Sequence, residues 1–280
     1  MADGSSLTRK SCSISVEAAP SFPWGGFLLE LLVNGLVRGS VVGSDTEVHI
    51  KRDGINALVV PGWAGQFDPD WFDPGYWGER AVPVSSGGRG SAWFVERSPE
   101  HWVLRHYRRG GLAGKLIHDR YLYAGEAHVR SFAEFRLLIQ LRVLGLPVPE
   151  PVAVMYQRRR LFYSSAIIIE RLHGVRPLGD VALALDKHRW REIGQVIRQF
   201  HDAGVYHADL NCFNILVGET SIHLIDFDKG ELRAPLSPYR TSWKGNTVGR
   251  LKRSLNKAYG DELERQWQFF LEGYNVSTNV

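Results

Sequence analysis

From Ser131 to Leu144 the apolar residues Phe132, Phe135, Leu138, Ile139, Leu141 and Leu144 recur every three or four positions, which predicts a helix with one apolar face. Gly145-Leu-Pro147 stops it, since glycine suits the left-handed cap and proline cannot continue the hydrogen-bond ladder. Lys187–Ala203 repeats the pattern with Trp190, Ile193, Val196, Ile197 and Phe200, and Gly204 is its natural cap. Leu251–Tyr259 and Glu262–Leu271 read as closing helices. Strands are predicted where short apolar runs are bounded by turn residues: after the Gly-rich turn in Val84–Val95, and at His101–Tyr107, Ala166–Ile169, Ile215–Val217 and Ile222–Ile225. Phe67–Trp77 (FDPDWFDPGYW) mixes turn-forming Asp-Pro pairs with aromatic residues that need burial, so a loop clamped onto the body of the fold is expected there. Residues 1–20 are Ser- and Ala-rich without periodicity and are expected to be mobile. The leucines between Leu28 and Leu36 fit either a short amphipathic helix or an irregular leader. Strands and one helix precede a mostly helical remainder. This order predicts an α+β, two-lobed layout: a leader over 1–50, a β-rich lobe over 51–172 and a reduced, mostly helical lobe over 173–280.

Composition narrows the class. Of 280 residues 44% are hydrophobic and 23% charged, enough apolar content for a core, which excludes a disordered or collagen-like chain. Cys12 and Cys212 are the only cysteines, so neither a disulfide framework nor a zinc site is expected, in keeping with a reducing compartment. No apolar run reaches the roughly 18 residues of a membrane span. The best candidate, Phe27–Val37, is broken by Glu30 and Asn34 and does not resemble a signal peptide, so a cytosolic chain is expected. A formal net charge of +4 is too small to suggest nucleic acid as a partner. Its distribution is uneven: twelve Arg or Lys and five acids fall between Arg97 and Arg160, leaving the rest of the chain net negative. One part of the molecule should therefore face an anionic partner.

The chemistry is concentrated in Val205–Val217 (VYHADLNCFNILV) and His223–Asp228 (HLIDFD). Phosphoryl transfer from a nucleotide asks little covalent chemistry of a protein; it asks for positioning and charge neutralisation. One carboxylate must orient the attacking hydroxyl and take its proton. A second, with an amide oxygen, must hold Mg²⁺ against the phosphates. Asp209, Asp226 and Asn214 meet those requirements at offsets that resemble the H-x-D-L-x-x-x-N and D-F-G elements of the protein-kinase-like fold. Upstream, Gly87, Gly88 and Gly90 stand where a nucleotide-covering loop belongs, and Arg105 stands where that fold carries the phosphate-binding Lys. Arginine keeps the charge and can bind phosphate bidentately. Lys115 is a second candidate for that role, and Glu134 is the candidate partner of the cation, a solvated helix-face Glu being the alternative. Glu170 lies in the expected hinge, where backbone groups would pair with adenine. Ala208 replaces the Arg of H-R-D, Asp228 replaces the Gly of D-F-G, and no A-P-E element follows in the 54 residues after Asp226. A small or lipid-linked acceptor, rather than a polypeptide, is expected.

VLRHYRRGGLAGKL, GLPVPEPVA, YHADLN, NIL and LIDFDKG together resemble the 3-deoxy-D-manno-octulosonic acid (Kdo) kinases of the lipopolysaccharide kinase family, from about Asn56 to about Gly273. The resemblance implies a bilobal protein-kinase-like fold and an enzyme that uses ATP and Mg²⁺. The implied reaction phosphorylates the 4-hydroxyl of Kdo on Kdo-lipid A precursor, at the cytoplasmic face of the inner membrane. It makes Asp209 the catalytic base and Asp226, assisted by Asn214, the metal ligand. An anionic substrate and membrane surface suit Arg108 and Arg109, with Arg158–Arg160, Arg250, Lys252, Arg253 and Lys257 as further attraction. His201 and His207 are expected to be structural, His207 holding the catalytic loop; Trp71 and Trp77 are candidates for a sugar-stacking surface. Another small-molecule or heptose kinase of this fold, or a non-catalytic membrane-associated module, are the competing readings.

Overall fold

Alternation along the strands sets the architecture. In the computed structural model, which describes residues 46–52, 54–84, 91–108, 121–233 and 242–276, an eight-stranded antiparallel sheet fills the N-terminal half. Its strands are β1 (Val48–Arg52), β2 (Ile55–Val59), β3 (Ala81–Pro83), β4 (Ala92–Arg97), β5 (Glu100–His106), β6 (Tyr121–Leu122), β7 (Pro151–Arg159) and β8 (Phe162–Glu170). They run in the order β1-β2-β7-β8-β5-β4-β3, with β6 beside the start of β8. Successive side chains on β8 point to opposite faces. Tyr163 and Ile167 join one apolar cluster, Ala166 and Ile168 another.

Each face has its own cover. The first is packed by helix α3 (Arg130–Val143), whose Phe132, Phe135, Leu138 and Leu141 are buried. The second is packed by the aromatic segment, which folds as short helices α1 (Pro61–Ala64) and α2 (Pro74–Trp77) flanking a 3-10 turn. Asp68 and Asp73 start those turns by accepting hydrogen bonds from Asp70 N and Gly75 N. Trp71, Phe72, Trp77 and Trp102 form the cluster beneath, and His106 Nε2 bonds the Phe72 carbonyl at 2.8 Å. The expected clamp is thus present.

After Glu170 helices dominate. α4 (Leu178–Val181) leads to α5 (Lys187–Asp202), capped by the Asp186 side chain, which accepts from Arg189 N at 2.8 Å. α6 (Ser242–Tyr259) and α7 (Glu264–Asn275) close the chain. Strand β9 (Val175–Pro177) pairs with β11 (Ile215–Gly218), which pairs with β12 (Ile222–Leu224); β10 (Val205–Tyr206) pairs with β13 (Glu231–Leu232). Gly204, with φ +78°, turns α5 into β10; a Cβ there would lie 2.3 Å from the Arg233 carbonyl oxygen, so glycine alone fits. The described residues lie in one compact unit, Ser40–Val280, and the fold is α+β with a β-rich first half and a mostly helical remainder.

Strands β1, β2 and β7 of the large sheet have no counterpart in the sequence reading, and α6 begins nine residues before Leu251. Among the described residues no helix is long and apolar enough to cross a membrane.

Candidate active site

Arg105 reaches the site through strand parity. Trp102 and Leu104 face the aromatic cluster, so Arg105 and Tyr107 face α3. There Arg105 Nη2 donates to Glu134 Oε1 at 2.5 Å while Nη1 donates to Asp226 Oδ1. The Tyr107 hydroxyl donates to the other Glu134 oxygen, and its ring lies 5.0 Å from the guanidinium carbon. Glu134 is no solvated helix-face residue: its side chain is 2% exposed. Burial pushes its carboxyl up, with Arg105 opposing. Burial also works against the Arg105 charge, but Glu134, Asp226 and Tyr107 outweigh it and keep the guanidinium firmly protonated. Asp226 is the converse case. Desolvation would raise its pKa, yet the Arg105 charge and hydrogen bond hold the carboxyl below the usual carboxylate range.

The acids are brought together by a buried histidine. His207 Nδ1 accepts from Asp209 N at 3.2 Å, which leaves the ring proton on Nε2, and Nε2 donates to the Ile225 carbonyl at 3.0 Å. Burial lowers the His207 pKa, so the ring is neutral, although both Asp226 and Asp209 are close enough to pull the other way. Asn214 adds a second tie: its Nδ2 donates to Asp209 O at 2.9 Å, and its carbonyl accepts from Ile225 N at 3.1 Å. Asn211 Nδ2 also donates to the Asp209 carbonyl, at 3.1 Å. The loop before β11 and the end of β12 are therefore stitched side by side. Asp209 is left exposed, with Arg250 Nη1 3.4 Å from its Oδ1. Phe227 is fully buried, stacked on Phe200 and against the His207 ring, and Asp226 takes φ +63°. That left-handed turn is uncommon for a non-glycine residue and aims the carboxylate at Arg105.

Asp228, at the glycine position of the motif, pairs with Arg130 through two bonds, Nε to Oδ1 at 2.9 Å and Nη2 to Oδ2. Arg130 is the first residue of α3 and Glu134 lies one turn on, so one helix face holds both Arg105 and the Asp226 loop. The sequence reading gave no site role to Arg130, Tyr107 or Arg250. Nothing in their local pattern marks them; each acts through a partner at least 27 positions away.

Other expectations fare differently. The Glu170 amide donates to Glu150 O at 2.8 Å, and its carboxylate accepts from Glu150 N at 3.1 Å, so both are engaged within the chain. Arg108 is exposed at the end of β5. Gly87, Gly88, Gly90, Arg109, Lys115 and the leucines of the leader lie outside the described residues. Trp71 and Trp77 are 3% and 4% exposed and pack on Trp102, which corrects their reading as a sugar-stacking surface. Arg250, expected among the surface attraction, stands against Asp209 instead.

A family model described as "Lipopolysaccharide kinase (Kdo/WaaP) family" matches residues 75–274. A protein from Stenotrophomonas maltophilia (strain R551-3), named 3-deoxy-D-manno-octulosonic acid kinase, is 46% identical over 220 residues, covering 76% of this chain and 87% of that protein. One of the same name from Xanthomonas campestris pv. campestris (strain B100) is 47% identical over 219 residues, covering 76% and 86%. Among solved structures, a chain described as "WaaP in complex with acyl carrier protein" aligns with a TM-score of 0.47 at 17% identity, over 76% of this chain and 83% of that one.

Proposed function

The chain belongs to the lipopolysaccharide kinase (Kdo/WaaP) family, and from that premise we propose that it is an ATP-dependent Kdo kinase acting on the 4-hydroxyl of Kdo in Kdo-lipid A precursor. The observation that carries the chemistry is the cluster in which Arg105 spans Glu134 and Asp226 while His207 and Asn214 hold Asp209 alongside. Asp209, exposed and hydrogen-bonded through its backbone, is the base that orients the acceptor hydroxyl and takes its proton. Asp226 is the metal ligand, its low pKa keeping it ionised. Asn214 spends its amide nitrogen on the loop, so its oxygen is the atom offered to the metal. Bound Mg²⁺ would neutralise charge on the transferred phosphoryl group. Arg105 is the phosphate-binding cation, held in orientation by Glu134 and Tyr107.

At the hinge the base-reading role falls to the Glu170 carbonyl, since its amide is taken. Gly87, Gly88 and Gly90 as phosphate cover, Lys115 as a second cation, and Arg108 with Arg109 as acceptor contacts follow from their sequence positions. The enzyme would work as a peripheral protein on the cytoplasmic face of the inner membrane. Purified protein with ATP, Mg²⁺ and Kdo-lipid A precursor should add one phosphate to the sugar, read by mass spectrometry. Asp209→Ala and Asp226→Ala should each lose roughly 10²–10⁴-fold in rate with unchanged melting. An inert wild type, or an Asp209→Ala enzyme that retains full rate, would overturn the reading.

A further inference from the structure

One end of the large sheet, remote from the hinge, differs from the rest of the surface. The β7–β8 hairpin turns there through Arg160, at φ +58°, and β6 pairs alongside, with Tyr123 N donating to Leu161 O at 2.8 Å. Leu122 on β6 and Leu161 in the β7–β8 turn have 62% and 65% of their surface exposed. Leu122, Phe162 and Arg159 occupy paired positions across β6, β8 and β7, so they share one face of the sheet. On β8 this is the face that the aromatic segment covers further along, at Ala166 and Ile168; Phe162 lies beyond that cluster and is half-buried.

The surroundings are basic. Arg158, Arg159 and Arg160 are all exposed, and Arg52, at the end of β1, sits at the same end of the sheet, because β2 pairs Ile55 with Gln157. Among the described residues Glu126 is the acid that reaches this region, and it is shared by Lys51 and His49, each 3.7 Å away. The hinge end is mixed in charge: Glu100, Glu150 and Glu170 stand there beside Arg97, Arg142 and Arg171. Nor is the tip floppy: Arg158 bonds the Arg160 carbonyl at 2.9 Å and stacks on Tyr123 at 4.3 Å. An exposed leucine on this turn and a second on the neighbouring strand β6, flanked by arginines, form neither a folding core nor an ordinary solvated face.

We infer that this tip is the membrane-docking element of the protein, with an anionic lipid bilayer as its occupant. The arginines meet the lipid phosphates, and Leu122 and Leu161 enter the interface between head groups and acyl chains. The position suits the reaction. Arg105 is level with Ile167, six residues along β8 from Leu161, which places the tip about 20 Å from the phosphate-binding cation. The same end of β8 is joined to the catalytic loops, since Tyr163 accepts from Arg130 N at 3.2 Å and Arg130 holds Asp228. A sugar carried by a lipid head group would be presented to the cleft from this side. The docking surface is read from geometry and charge; only its purpose rests on the lipid-linked acceptor proposed above.

Flotation with vesicles of phosphatidylethanolamine and phosphatidylglycerol, against phosphatidylcholine alone, tests the assignment on the full chain. Wild type should float with the anionic vesicles, and less so as salt rises. Arg159→Gln with Arg160→Gln should weaken binding by at least tenfold, as should Leu122→Ser with Leu161→Ser, both with unchanged melting. Vesicle binding that is equal on neutral lipid, or untouched by either pair, overturns the inference. So does a wild type that ignores vesicles but self-associates through the tip. Phosphate transfer to a soluble, lipid-free Kdo acceptor separates the two claims: the tip variants should keep it, and its absence in wild type would remove the kinase reading while leaving vesicle binding to stand or fall alone.

Discussion

Arg105 shows what a single residue accomplishes here. A lysine ammonium is a point charge, whereas the guanidinium fork meets Glu134 with one nitrogen and Asp226 with the other. The sequence reading reached Arg105, Glu134, Asp209, Asn214 and Asp226 because each sits at a fixed offset within an apolar strand or helix pattern. It could not reach Arg130, which finds Asp228 98 positions away. Histidine 201 supports a prediction at the same scale. Burial, with Lys244 and Arg198 adding to it and Asp202 opposing, pushes its pKa down to about 3, and Nδ1 bonds the Tyr274 hydroxyl at 2.7 Å. The folded ring therefore stays neutral while the unfolded chain takes up a proton below about pH 6.5. Stability must rise with pH between about 3 and 6.5, and fall as acid is added, by at most about 1.4 kcal/mol per unit from this group. His207 and His223, also lowered by burial, act with the same sign. The urea midpoint followed from pH 7 to pH 4 should drop less steeply in His201→Gln than in wild type; an identical slope would exclude His201 as a contributor.

Elements whose apolar face is periodic were legible from sequence. The helices observed at Arg130–Val143 and Lys187–Asp202 start and stop within one residue of the periodic runs. Strand β1 was not legible, because VHIKR lies at the sheet edge with most of its residues exposed, so no alternation is imposed on it. The start of α6 was hidden for a different reason: its first turns carry polar residues and rely on Trp243 and Thr247 for burial. Packing between elements is stricter than the patterns suggest. α5 and α7 approach so closely that a Cβ on Gly194 would lie 2.2 Å from the Phe270 carbonyl, and one on Gly273 2.0 Å from that of Arg191. Both obstacles are backbone, so the helices must separate to admit a methyl group. Gly194→Ala should cost about 3 kcal/mol in chemical denaturation, although alanine is the better helix former. A stabilised variant would mean the helices slide apart freely.

Across the whole molecule, helix α3 links the sheet to the loops that carry Asp226 and Asp228. Its buried residues pack the sheet while Glu134 and Arg130 clasp Arg105 and Asp228. Two bridges on one helical face should make the loop geometry depend on the helix as a unit. Arg130→Ala and Asp228→Ala should each lower kcat about tenfold, and the double variant should be little worse than either. Kinetics of the four proteins at saturating ATP checks this; multiplicative losses would show that the two residues act separately. Loss of the bridge should raise KM for the acceptor less than it lowers kcat, since neither residue is placed where the acceptor binds.

The sequence alone determined the class of fold, the main helices and the acids of the candidate site, because periodicity and short-range spacing are local properties that a chain carries in its order. Tertiary structure decided which side chains those acids meet. That Asp226 is held ionised by Arg105, that Asp228 serves α3, that Trp71 and Trp77 are core, and that Leu122 and Leu161 surface beside four arginines all depend on residues distant in the chain becoming neighbours. Burial and ion pairing arise only once the strands and helices have packed, and no local pattern encodes them.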